Sequence, residues 1–378
     1  SYNNSITKNY SYFMNNQLKN VIFGFVIMIV ASYVNYHRIV RLGWGWFWLL
    51  AAVAIIAALK TPLAHSELGA TRWIKLGPVS FQAAEPIKAA IIIFFAYYVS
   101  YWGLNRWYNQ LLACLLAIAL LGFLFFFSNN LSTVIVLFCI CAVIILSSVK
   151  KPDLYLYFLL GLALIIIAAI FVTVYLLMHQ GAENFRFVRI RAWLHPEEYA
   201  ADEGLQAMQA RYAIGAGGFW GKGLGQSLIK FKLSYSYNDF ILAIICEELG
   251  VFGVIVMMTL FGYLLYRIYK IAQNAWDIEG KVLAIGVFTQ IALQLLINVM
   301  VVTSVIPTTG VTLPFFSAGG TSVVFLLAEL GMVLNVDKYA KERRFFEEAE
   351  RHVAQMEQRG GIGAAGWRRR LDSARTRR

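Results

Sequence analysis

The sequence predicts an all-α integral membrane protein, a polytopic helix bundle with nine spans. Three observations carry that prediction. Of the 378 residues, 59% are hydrophobic and only 14% are charged, whereas a soluble domain carries about a quarter charged residues. The mean hydropathy is +0.62. The apolar residues also fall into runs of the length a bilayer requires, about 17–25 residues, separated by polar connectors.

The runs lie near 18–36, 44–60, 84–102, 109–127, 131–149, 154–178, 239–268, 281–303 and 320–336. The third contains Glu85 and Lys88, a costly pair in hydrocarbon and for that reason a functional candidate. The connectors YHRIVRLG, GLNRWYN, SVKKPD and YRIYKIAQNAWDIEGK concentrate Lys and Arg. Placing them inside sets the N-terminus outside and the C-terminus inside. Residues 1–337 then form the membrane domain, with a long extracellular loop at 179–238, and 338–378 form a basic cytoplasmic tail. An outward start with neither a signal peptide nor an initiating Met leads to the expectation that one further span precedes this chain.

The net charge of +12 is read as inside bias and attraction to anionic lipid rather than as a nucleic-acid surface. Cys114, Cys139, Cys141 and Cys246 lie inside apolar runs, with neither zinc-site spacing nor a disulfide framework. They are read as small core residues.

Three outward segments remain, at 60–85, 179–238 and 303–322. A loop as long as the second is usually functional. It holds Arg186, Arg189, Arg191, Arg211, Lys222, Lys230 and Lys232. In FRFVRIRAW, Arg189 and Arg191 share a side if the segment is extended, and Arg186 and Arg189 share a face if it is helical. Arginine forks suit phosphate oxygens, while headgroup contact or pairing with Glu183, Glu197 and Glu198 is the bland alternative. AIGAGGFWGKGLGQS (213–227) fails both the Walker A and the G-x-G-x-x-G patterns. It is either a backbone cradle for an anion or a tight re-entrant turn.

Glu85 and Lys88, three residues apart, lie on one helical face, with Pro86 suited to a first turn. Asp239 opens the run FILAII. There it is either a helix cap or a general base facing a wet cleft at the membrane lip. Glu247, eight residues on, is about 12 Å deeper, too far for the second carboxylate of a hydrolase pair. Glu247 and Glu248 are read as structural acids paired within the bundle.

Four blocks then stand in order: ATRWIKLGPVSFQAAEPIK, YAIGAGGFWGKGLGQS, NDFILAIICEELGVFG and PTTGVTLPFFSAGGTS. Together they resemble the signature blocks of the SEDS family (shape, elongation, division and sporulation), over about residues 20–340. The resemblance implies ten transmembrane helices, the first absent from this chain. It implies a peptidoglycan glycosyltransferase of the bacterial plasma membrane that polymerises lipid II on the extracytoplasmic side. A class B penicillin-binding protein transpeptidase would be its partner, and undecaprenyl-pyrophosphate-linked glycan its product.

The family's essential aspartate falls on Asp239, and its Glu and Lys fall on Glu85 and Lys88. Arg72, Trp73, Gln82, Arg186, Arg189, Arg191, Lys222, Lys230, Ser317 and Thr321 complete the expected substrate-binding set. Three departures stand out: QAAE for the common QPSE, NNLS for PDLG, which puts Asn130 where an acid is frequent, and LSY for LPE, which puts Tyr235 in place of Glu. No cofactor is named by the sequence, and a divalent cation stays an open option. The competing functions are a lipid II flippase, which would favour internal repeats and interrupted helices, and a non-catalytic scaffold for a transpeptidase.

Overall fold

The computed structural model describes residues 10–62, 64–67, 70–76, 79–128, 130–149, 185–199, 203–227, 239–317, 320–358 and 367–368. The span expected at 154–178 lies outside them, as does Lys230. Among the described residues the chain forms α1 (Tyr10–Tyr33), α2 (Tyr36–Val40), α3 (Trp46–Ala58), α4 (Ala84–Trp102), α5 (Trp107–Ser128), α6 (Leu131–Ser148), α7 (Phe185–Leu194), α8 (Glu203–Gly217), α9 (Ile241–Asn274), α10 (Ile278–Val302) and α11 (Gly320–Gln358). Helices α5, α6, α9, α10 and α11 are long and apolar enough to cross a membrane, and Gln17–Tyr33 and α3 are shorter apolar helices.

Segment 60–85, to which the sequence reading assigned no secondary structure, carries a small antiparallel sheet of β1 (Ala64–Glu67), β2 (Ala70–Leu76) and β3 (Val79–Gln82), in the order β1-β2-β3. Its register sets Trp73 opposite Gln82. The sequence between β2 and β3 is Gly77-Pro78, a turn dipeptide.

Helices α4 and α10 form the centre. Nearly every residue of α4 from Glu85 to Val99 is buried, as expected of a helix that is apolar all round. Helix α10 packs against α4, α6, α9 and α11. Helices α1 and α11 run side by side in the same direction. Gly24 meets Leu327 and Val324, and Gly331 meets the Met28 backbone. Small residues let helices approach closely where lipid supplies no hydrophobic drive.

The end of the bundle that carries the sheet, α7, α8 and the 303–317 segment is called here the loop end. The opposite, or tail, end is clamped by polar contacts. Asn335 accepts the Tyr36 N–H (3.0 Å) and donates to the Ser32 carbonyl (2.7 Å). Asp277, the N-cap of α10, accepts from the Gly280 N–H, the Tyr36 hydroxyl and His37 Nε2. Burial alone would raise the Asp277 carboxyl, but the His37, Gly280 and Tyr36 hydrogen bonds outweigh it and hold the group below its ordinary value. Its stabilising contribution is therefore complete above about pH 4 and is lost as pH falls through the lower folded value. Glu279 beside it pairs with Arg41 (2.8 Å).

Helix α9 is broken at Gly250, whose φ is +68°. The break exposes α9 carbonyls and amides, and the glycine-rich segment occupies them. Lys222 N–H donates to Glu247 O and Gly223 N–H to Glu248 O (2.9 Å each), while Val251 and Phe252 N–H donate to Gly218 and Phe219 O. A side chain at 250 would strike the Phe219 carbonyl and the Gly221 nitrogen. Gly250→Ala is accordingly expected to lower the melting temperature in detergent. The backbone penalty is about 1–3 kcal/mol before the clash is added. A melting curve superimposable on wild type would show that the junction adapts freely.

Candidate active site

Asp239 lies at the loop end, half-buried, just before α9. The N-cap residue of α9 is Phe240, whose side chain makes no capping bond, and Asp239 is the residue before it. Its position still places the carboxylate at a helix N-terminus, where the macrodipole favours negative charge. The Asp239 carbonyl accepts from Asn298 Nδ2 (2.9 Å), which also donates to the Val311 carbonyl (3.0 Å). One buried amide of α10 thus ties the start of α9 to the 303–317 segment.

The segment FRFVRIRAW is helical rather than extended, within α7. Arg191 is exposed. Arg189, Trp193, Ala207, Val301, Ser304 and Thr308 line a small cleft where α7 and α8 cover the end of α10. Trp193 Nε1 donates to the Ser304 carbonyl (2.9 Å), and Arg211 Nε donates to Ser304 Oγ (3.0 Å). Ser304 has φ +59°, a strained conformation for a residue with a side chain. Asn298, which holds Asp239, and Val301, which lines the arginine cleft, are neighbours three residues apart on α10. The Asp239 backbone and the Arg189 cleft therefore both meet the last turns of one helix.

Of the remaining expected residues, Lys222 pairs with Glu247 (2.8 Å), and Ser227 Oγ donates to the other oxygen of Glu247. Glu247 is thus a paired structural acid. The N–H groups of Lys222 and Gly223 are spent on α9 carbonyls, which favours the re-entrant turn over an anion cradle there. Trp73 and Gln82 face each other across β2 and β3 beside the start of α4, and Arg72 lies on β2. Ser317 Oγ accepts the Leu313 N–H (2.8 Å) and closes a tight turn in which Phe315 has φ +65°. Thr321 stands in the first turn of α11. Asn130 caps α6 by accepting the Thr133 N–H (3.3 Å), a role its amide fills as an acid would. Among the described residues, no group of three or more His, Cys, Asp or Glu side chains gathers as a metal site.

Glu85 and Lys88 are both buried on α4, with Lys88 Nζ 2.9 Å from each Glu85 oxygen. Breaking such a pair leaves one uncompensated charge and costs about 3–5 kcal/mol. Glu85→Gln and Lys88→Met are each expected to reduce the yield of folded chain or its activity. If both variants match wild type in melting temperature and turnover, the pair is dispensable.

The structure adds residues that sequence reading passed over. Gln290 Nε2 donates to Glu329 Oε2 (2.8 Å) in the middle of the bundle. Gln290, Gln294 and Asn298, four residues apart, form a buried polar stripe along α10. Their spacing was visible in the sequence, but they were absorbed into an apolar run.

A family model described as cell cycle protein, covering FtsW, RodA and SpoVE, matches residues 1–342. A probable peptidoglycan glycosyltransferase FtsW from Geobacter sp. (strain M18) is 31% identical over 332 residues, covering 86% of each chain. Stage V sporulation protein E of Bacillus subtilis (strain 168) is 36% identical over 277 residues, covering 72% of this chain and 73% of its own. Among solved structures, a chain from a peptidoglycan synthase complex that coordinates polymerisation and crosslinking superposes with a TM-score of 0.70 at 24% identity, covering 86% of this chain and 90% of that one. The Thermus thermophilus rod shape determining protein RodA superposes at 0.61 and 22% identity, over 86% and 88%. The two structural likenesses establish the fold, a multi-pass membrane helix bundle.

Proposed function

Because the chain belongs to the cell cycle protein family of FtsW, RodA and SpoVE, we propose that it is a peptidoglycan polymerase. It joins lipid II disaccharide units into glycan strands at the outer face of the bacterial plasma membrane. The observation that carries this reading is that the Asp239 backbone and the Arg189 cleft both meet the last turns of α10. In the reaction a sugar 4-hydroxyl oxygen bonds to an anomeric carbon, the bond from that carbon to the lipid pyrophosphate breaks, and the hydroxyl proton leaves. Asp239 takes that proton as general base. Pyrophosphate is a good leaving group that needs positive charge rather than a proton, and Arg189 supplies it. The undecaprenyl chain stays in the bilayer while the headgroup sits at the loop end. The deciding experiment incubates the purified chain with labelled lipid II in detergent and looks for glycan polymer.

A flippase for the same lipid is the second function to weigh, because α9 is broken at Gly250 and a hairpin enters beside it, features that transporters use. Detergent separates the two, since polymer forms there without any second compartment. Failure to make polymer from substrate that a control polymerase consumes would turn the assignment towards transport.

The partner we infer is a single-span transpeptidase of the class B penicillin-binding type, bound along the lipid-facing side of the bundle. Purification from native membranes in mild detergent should recover such a protein. Its consistent absence would remove the partner from the account without touching the polymerase reading.

A further inference from the structure

The centre of the bundle holds more hydrogen-bond acceptors than it compensates. Glu85 and Glu329 are 2% and 1% exposed, and Glu329 lies within electrostatic reach of both Glu85 and Lys88. With both carboxylates ionised, one ammonium leaves one negative charge uncompensated, and Lys88 is already engaged with Glu85. Glu329 Oε2 accepts one neutral amide hydrogen bond, from Gln290. Glu329 Oε1, Gln290 Oε1 and Gln294 Oε1 are buried without a hydrogen bond, and Glu85 Oε2 has ion contact with Lys88 outside hydrogen-bond alignment. All four atoms are acceptor oxygens, two from carboxylates and two from amides. A lone hydrogen bond from a neutral amide does not offset the burial of a carboxylate in hydrocarbon.

We propose that Glu329, Glu85, Gln290 and Gln294 form a binding site for one monovalent alkali cation inside the bundle. Oxygen-only ligands of this kind suit hard cations. A single positive charge neutralises the cluster, whereas a divalent ion would leave a net positive charge in the membrane interior. The α10 stripe supplies the way in. It runs two turns from Gln290 to Asn298, about 12 Å, and ends at the amide that holds the Asp239 carbonyl. Asn298 Oδ1 is likewise buried without a hydrogen bond, so acceptor oxygens continue along the path. The site is independent of the polymerase assignment, and its test needs no substrate.

The test measures equilibrium uptake of radiolabelled sodium and of radiolabelled rubidium, standing for potassium, by the purified full chain in choline buffer. Saturable uptake of one of the two ions is expected, with a stoichiometry approaching one per chain and competition by the unlabelled ion. Glu329→Gln should abolish it, and Gln294→Leu should weaken it about 10–100-fold. The wild-type melting temperature should rise on adding the bound ion, and that of Glu329→Gln should not. If Glu329→Gln fails to fold, Gln294→Leu decides alone. Absence of saturable uptake of both ions, as would follow if a proton neutralises Glu329 instead, overturns the proposal. So does uptake that survives the substitutions unchanged.

Discussion

Asp239→Asn is expected to abolish glycan polymerisation while leaving the chain folded. The amide has nearly the shape of the carboxylate and keeps one oxygen acceptor, but it cannot take a proton at neutral pH. A positioned general base contributes about 10²–10⁴-fold in rate, so turnover should fall by at least two orders of magnitude. Folding should be spared because an Asn side chain can accept at a helix start as an Asp can, and because the bond that anchors this position runs from Asn298 to the backbone carbonyl of Asp239. Gel-resolved polymer from labelled lipid II reads the activity, and a detergent melting curve reads the fold. Polymer at near wild-type rate from the Asn variant would remove Asp239 from the reaction.

Arg189 carries the second large effect. If it stabilises the charge that builds on the departing pyrophosphate, Arg189→Ala should lower turnover at saturating lipid II by about 10²–10³-fold, the cost of losing one preorganised donor. Substrate binding should change much less, because an interaction stronger in the transition state acts mainly on kcat. Arg189→Lys should recover only part of the loss, since lysine is a point charge without the planar fork. Arg191, exposed on another part of the same helix, offers the comparison: its replacement should have a small effect that salt screens away. Wild-type turnover in both Arg189 variants, at low and high salt alike, would mean that this cleft holds no leaving group.

The membrane class and the character of the main apolar helices were legible because hydropathy and length report directly on a helix that must satisfy its own backbone in lipid. The Glu85–Lys88 pair was legible from a spacing of three, and the structural role of Glu247 from its depth below Asp239. Other features depend on contacts between distant segments. The break at Gly250 is stabilised by residues 218–223, which no local pattern links to it. Glu329 reads as a lone acid in an apolar run until Gln290, thirty-nine residues earlier in the chain, is set beside it. The sheet at 64–82 is three short strands, too brief for alternation to stand out against their Gly-Pro punctuation. The choice between an extended and a helical FRFVRIRAW was open because arginines at 186, 189 and 191 satisfy both periods.

Helix α11 is a single rod of 39 residues, about 58 Å long. Its first turn carries Thr321 beside the Ser317 turn, and its last turns stand well beyond the tail-end clamp at Asn335. Close packing along α1 stiffens the shared stretch. The stretch from Thr321 to the clamp at Asn335 is about 21 Å, so a tilt of one degree about the clamp moves the first turn by about 0.4 Å. One unbroken helix thus joins the turn at Ser317 to the chain beyond the clamp, so the two ends of the bundle share a single stiff element.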